Sequence, residues 1–215
     1  ALAEPLAVCL HAVNRAGAVA GRRAIVFGAG PIGLLTLVAA RLAGMAEVTV
    51  ADIAAAPLAF ARRLGADRVI DLSRGHGSPA GGQLFDVAFE VSGTAAGLAS
   101  AIRGVRRGGT VVQVGNLPGG EIPMPANAVM AKEIDLKGTF RFGTEFADAV
   151  RLIVARAVDV LAIVTAERPL AQAPAAFRLA LDRSQSVKVV LTRDGYSHFR
   201  SNRIGPDQHF DQRWL

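Results

Sequence analysis

Cysteine occurs once in the 215 residues, at Cys9, and tryptophan and tyrosine occur once each. A lone thiol excludes an intramolecular disulfide framework and a cysteine-rich zinc module, and it fits a reducing compartment, so the cytoplasm is the expected location. The first residues have no basic stretch ahead of their apolar positions, as a secretory leader would have. No uncharged apolar run reaches the roughly 18 residues that mark a membrane helix, so no membrane partner is expected. Basic residues are in excess, with a formal net charge of +6 and a pI of about 10.6. They do not form a patch: the arginines stand singly or in pairs (Arg22 and Arg23, Arg62 and Arg63, Arg106 and Arg107), and no aromatics lie among them for base stacking. Nucleic acid is therefore not an expected partner.

What the chain has in quantity is apolar material, 51% against 20% charged residues, enough for one sizeable core. Its pattern alternates between short strands and helices. Residues 2–15 place Leu6, Leu10 and Val13 at helical spacing ahead of Gly17. Residues 24–27 form an apolar run without alternation, as expected of a strand covered on both faces of a parallel sheet. Helical spacing then returns over 31–42, with Pro31 at a tolerated first-turn position. Further strands are expected at 47–52, 68–70, 85–91, 109–115 and 134–140, with helices at 57–64 and 94–105. The glycine-rich stretch 73–83 reads as an irregular third crossover. Six strands joined by helices are the complement of an α/β, doubly wound, Rossmann-type parallel sheet. Helices at 145–155 and 171–181, with apolar runs at 161–164 and 187–191, exceed what that sheet needs. From residue 193 onward periodicity stops, and a disordered tail is expected over 193–215.

The strongest local signal is Gly28-Ala-Gly-Pro-Ile-Gly33 between an expected strand and an expected helix. Gly28 permits the tight turn, Gly30 removes a side chain that would block a pyrophosphate, and Gly33 lets helix and strand approach. The anion would meet the positive helix end and its free N–H groups. Asp52 closes the second strand, where a carboxylate can accept from both adenosine-ribose hydroxyls and would repel a 2'-phosphate. Since no arginine follows Asp52 until Arg62, NAD is favoured over NADP. A glycine turn in another parallel fold is the plainer alternative. Methyltransferases of related topology usually carry a further glycine where this chain has Ile32. Cys9 and His11, two apart on one helix, face different ways and read as packing residues rather than metal ligands.

Several motifs in order resemble one family. They are Glu4-Pro-Leu-Ala-Val8, His11-Ala-Val13, Val26-Phe-Gly-Ala-Gly-Pro-Ile-Gly33, Leu64-Gly-Ala-Asp67, Phe85-Asp-Val-Ala-Phe-Glu-Val-Ser-Gly93, Gly108-Gly-Thr110, Lys137-Gly-Thr-Phe-Arg141, Asp182-Arg-Ser184 and Lys188-Val-Val-Leu191. Together they resemble the medium-chain, zinc-type alcohol and polyol dehydrogenases, in the sorbitol and L-idonate 5-dehydrogenase branch, over about residues 1–191.

The resemblance implies zinc-assisted oxidation of a secondary alcohol on a polyol or sugar acid, with hydride passing to NAD. It implies cofactor contacts at Gly28, Gly30, Pro31, Ile32, Gly33 and Asp52, at Val114, Gly115 and Asn116 after the fifth strand, and at Thr139, Phe140 and Arg141. Arg141 and Phe142 are implied on the substrate side, Phe142 standing where sorbitol dehydrogenases have Tyr. Glu4 matches an acid facing the active-site zinc, and Pro57 replaces an arginine near the adenosine. Residues 1–20 would end a catalytic, GroES-like domain, 21–141 would bind NAD, and 142–192 would return to the catalytic domain. The zinc ligands are expected upstream of this chain, which alone would expose apolar surface and oxidise no alcohol. A homo-oligomer, dimer or tetramer, is expected. A non-catalytic NAD-sensing module is the competing reading.

Overall fold

The computed structural model describes residues 2–74 and 82–193. The tail with Tyr196, His198, His209 and Trp214, and most of the expected third crossover, including His76, lie outside the described residues.

Strand β1 (Arg23–Phe27) shows why an apolar run without alternation belongs in the middle of a sheet. Successive strand side chains point to opposite faces. Ala24 and Val26 join one core cluster, while Ile25 and Phe27 join the other, and all four are buried. Strands β2 (Glu47–Asp52), β3 (Arg68–Asp71), β4 (Phe85–Glu90), β5 (Val105–Gln113) and β6 (Asp135–Gly138) complete a six-stranded sheet in the order β3-β2-β1-β4-β5-β6. Every pairing in it is parallel. This is the doubly wound Rossmann arrangement, and the strand order reverses between β1 and β4.

One face of the sheet is covered by α1 (Ala3–Ala16), α2 (Pro31–Leu42) and α3 (Ala55–Arg63). Leu6, Ala12, Leu34, Leu35, Leu58 and Ala61 supply the buried side chains there. The other face is covered by α4 (Ala95–Gly104), through Leu98, Ala101 and Ile102, and by α5 (Ala126–Ala131). Thr94 caps α4, its hydroxyl accepting from Gly97 N–H at 2.9 Å, which satisfies one of the unpaired amides of the first turn.

The chain continues through α6 (Glu145–Val154), a 3-10 turn (Val160–Ile163), β7 (Val164–Pro169), α7 (Ala173–Leu181) and β8 (Lys188–Thr192). Strands β7 and β8 pair in parallel as a separate two-stranded sheet. Helix α6 packs against α1 and ties this segment to the main core.

Two expectations need correction, and two segments take a form the sequence did not specify. The fifth strand starts at Val105, not 109, because Val105 pairs with Phe85 across an irregularity that lets the ladder run through Arg106-Arg-Gly-Gly109. The sixth strand ends at Gly138, so Thr139 and Phe140 lie beyond it. Helix α5 lies inside the Pro-containing connection between β5 and β6, and it begins directly after Pro125. The apolar run 161–164 falls mostly in the 3-10 turn, where the Asp159 carboxylate accepts from Leu161 N–H at 3.0 Å, and β7 begins at its last residue, Val164.

Candidate functional site

A parallel ladder that runs one residue past each strand gathers the candidate residues into a row. Gly28 N–H donates to Ala51 C=O, Val91 N–H to Phe27 C=O, Val114 N–H to Glu90 C=O and Thr139 N–H to Gln113 C=O, all within 2.8–3.1 Å. The turns after β1, β4, β5 and β6 therefore lie side by side along the carboxyl edge of the sheet. In open α/β sheets this edge holds ligands, at the point where strand order reverses.

The glycine turn has three different jobs. A Cβ on Gly33 would lie 1.8 Å from the carbonyl oxygen of Gly28, so only glycine lets α2 start this close to β1. Gly28 has φ +108°, a backbone conformation that side chains disfavour. A Cβ on Gly30 would meet nothing within 4 Å, so its bare backbone faces open space at the N-cap of α2. Leu34 N–H is the first amide of α2 bonded within the helix, to Gly30 C=O, which leaves the amides of Ile32 and Gly33 as donors for an anion. An unobstructed cradle of amides at a helix N-terminus fits a diphosphate.

Asp52 ends β2 and is buried beside this turn. Its Oδ2 accepts from Ala29 N–H at 2.6 Å, within the glycine turn, and its Oδ1 accepts from Ala54 N–H at 2.9 Å. The carboxylate thus fixes the turn and stands next to it. Arg183, 131 positions further along the chain, also donates to Oδ2, at 3.2 Å.

The turns after β4 and β5 interlock without side chains. A Cβ on Gly115 would lie 2.4 Å from Gly93 N, and one on Gly93 would lie 2.6 Å from Asn116 C=O. Glu90, fully buried at the end of β4, organises this junction. Its Oε1 accepts from Ser92 N–H (2.8 Å), the Ser92 hydroxyl (2.5 Å) and Gly93 N–H (3.0 Å). Glu90 Oε2 and the Thr139 hydroxyl are the buried side-chain polar atoms without a hydrogen-bond partner among the described residues. Both belong to the carboxyl-edge row, where a cofactor amide and ribose could satisfy them. Glu90, Ser92 and Arg183 were not among the residues expected to build the site. Their only sequence signals were the strand-ending Glu-Val-Ser-Gly93 and the Asp182-Arg-Ser184 motif.

Val114 and Gly115 are half-buried in the row and Asn116 is exposed, as are Phe140 and Arg141. Arg141 adopts φ +55° with its guanidinium 5.4 Å from the Phe140 ring centre. Phe142 is half-buried, packs against the main core and stacks on Phe146 at 5.7 Å. Glu4 is exposed in the first turn of α1. Pro57 is buried in α3.

Cys9 and His11 do diverge. The Cys9 thiol is buried and donates to Ile32 C=O at 3.3 Å, and burial pushes its pKa up to about 12, which keeps it protonated. His11 Nδ1 lies 2.9 Å from the Glu145 carboxylate on α6, which also accepts from Asn14 at 3.0 Å. Burial pushes the Glu145 pKa up, but these hydrogen bonds outweigh it and hold the group at about 2. Among the described residues no three His, Cys, Asp or Glu side chains converge on a metal site. Among the same residues no helix is long and apolar enough to cross a membrane.

Comparison with known proteins finds similar sequences and folds. The sequence pattern of the family described as zinc-binding dehydrogenase matches residues 31–155. L-idonate 5-dehydrogenase (NAD(P)(+)) of Escherichia coli (strain K12) is 37% identical over 194 residues, which are 89% of this chain and 56% of that protein. Its crystal structure superposes with a TM-score of 0.83 at 35% identity, covering 89% of this chain and 56% of that one. Sorbitol dehydrogenase of Macaca fascicularis is 33% identical over 201 residues, with 90% and 56% covered. A Sinorhizobium meliloti 1021 protein solved bound to NADP superposes with a TM-score of 0.80 at 30% identity, with 89% and 58% covered. The chain spans about half the length of the curated relatives it matches.

Proposed function

We propose that this chain, which belongs to the zinc-binding dehydrogenase family, is the dinucleotide-binding portion of an enzyme that oxidises a secondary alcohol of a polyol or sugar acid. The observation that carries the reading is the open face at Gly30, set between the amides of α2 and the buried carboxylate of Asp52. A diphosphate and a ribose are the two chemistries that such a pair accommodates together.

In this reading the amides of Ile32 and Gly33 hold the pyrophosphate, and Asp52 accepts from the adenosine ribose. The strand-end turns carrying Ser92, Val114, Gly115, Asn116 and Thr139 bed the nicotinamide half. Phe140 and Arg141 close over it, and Arg141, Phe142 and Glu4 face the substrate. A nicotinamide dinucleotide bound there supplies the hydride acceptor. The names of the relatives support the alcohol class, since they act on L-idonate and sorbitol.

Residues 21–141 form the cofactor domain, preceded by the end of a catalytic domain over 1–20 and followed by a return segment over 142–192. The zinc of the family would be held upstream of this chain, and alcohol oxidation requires that part as well. Subunits would pair through the cofactor domain as a dimer or tetramer.

The test is calorimetric titration of the folded chain with NAD. Binding is expected, and Asp52→Ala should weaken it by about 1–3 kcal/mol, the range for a hydrogen bond to a charged group. No heat at millimolar NAD, in a sample whose circular dichroism shows a folded α/β chain, overturns the reading.

A further inference from the structure

We propose that Arg183 forms the cationic half of the adenosine-ribose site and lets it accept a 2'-phosphorylated dinucleotide as well as the unphosphorylated one. This inference rests on the dinucleotide reading above and concerns which nucleotide the site takes.

A carboxylate at the end of the second strand ordinarily selects against a 2'-phosphate by charge. That argument holds when the carboxylate stands alone, and here it does not. Asp52 Oδ2 is shared between Ala29 N–H and Arg183, and Oδ1 is held by Ala54 N–H, so both oxygens of the acid are engaged by donors of its own chain. One guanidinium amino group offsets its charge at 3.2 Å.

The rest of the guanidinium remains available. The Arg183 side chain is 56% exposed, whereas that of Asp52 is 3% exposed. A guanidinium has five N–H donors in a planar fork, and its geometry suits phosphate oxygens in pairs. With one amino group on Asp52, the outward donors face the solvent at the mouth of the site, where a phosphate on the ribose could meet them.

The arginine is also held in place. It follows α7 in a tight turn built on Asp182, whose carboxylate accepts from Ser184 N–H at 3.0 Å and from the Ser184 hydroxyl at 2.5 Å. The turn closes with Ser186 N–H donating to Asp182 C=O at 3.0 Å. A cation on a braced turn loses less freedom on meeting an anion than one on a free loop.

The experiment is calorimetric titration of NAD and NADP into the full chain, as wild type, Arg183→Ala and Arg183→Gln, each checked for folding by circular dichroism. Wild type is expected to bind both nucleotides. Both variants should lower the ratio of NADP affinity to NAD affinity by about tenfold or more, the usual scale for losing one charge-assisted phosphate contact. Glutamine can still hydrogen-bond Asp52 but carries no charge, so it separates the two possible roles. If Gln restores NADP binding, if both nucleotides weaken equally, or if wild type binds NAD and no NADP, the role assigned to Arg183 is wrong while the dinucleotide site stands. If wild type binds neither nucleotide, both readings fall.

Discussion

Two sheets made by one chain behave differently. In the six-stranded sheet β1, β2 and β4 bury nearly every side chain between two layers of helices. In the pair β7 and β8 no residue is fully buried. The helices follow suit: α2 buries seven residues, whereas α7 buries Ala176 alone and leaves Phe177 66% and Leu181 82% exposed. Parallel strands normally need cover on both faces, and two strands by themselves are marginal in water. The contrast teaches that the six-stranded sheet has its own core, while β7, α7 and β8 leave apolar side chains such as Phe177 and Leu181 at the surface. An apolar recess lined by Leu2, Val150, Val154, Leu161 and Val190 lies in the same region.

The largest effect is expected in the core. Phe89 is fully buried near the end of β4, and Phe89→Ala should cost about 3–5 kcal/mol of unfolding free energy, the range for an aromatic truncated in a packed interior. The matching change Phe177→Ala should stay within about 0.5 kcal/mol, because little packing is lost at an exposed position. Both are read from urea midpoints, and similar losses at the two sites would erase the distinction drawn between the halves.

A second measurement sharpens the join between them. Glu145 on α6 accepts from His11 and Asn14 on α1 and from Gly143 N–H at 2.7 Å, and its pKa of about 2 lies below the ordinary 4.5. A group whose folded pKa is depressed stabilises the fold above its unfolded pKa and loses that contribution as pH falls. Stability should therefore decline between about pH 4.5 and about pH 2. Glu145→Gln should lower stability at neutral pH and flatten this decline. An unaltered pH profile in the variant would show that the clasp between α1 and α6 carries none of it.

The smallest effect belongs to the exposed face. Leu181→Lys should leave the urea midpoint almost unchanged, within the ±0.5 kcal/mol usual for surface changes, and should raise solubility by breaking an apolar patch. A clear loss of stability would mean that Leu181 is packed in solution.

Much of the site was legible because its logic is local. Gly28, Gly30 and Gly33 are spaced by the turn they make, and Asp52 follows from the length of one strand-helix-strand unit. The helix over residues 31–42 and the strand over 47–52 have the bounds that spacing predicts. Helix α5 was hidden because six residues behind a proline carry too little periodicity to distinguish them from a loop. Glu90 was read as part of a motif and not as a buried anchor, since an acid at a strand end looks the same whether it faces water or a neighbouring turn.

The sequence by itself determined the sheet class, the glycine turn and the acid beside it, because each depends on contacts within a few residues or on a repeating period. Only the tertiary structure decided what surrounds that acid. Reading along the chain finds no arginine near Asp52, whereas the fold brings Arg183 to it across 131 positions. Charge acts through space, so the electrostatics of a site are set by which distant turns the packing delivers to it.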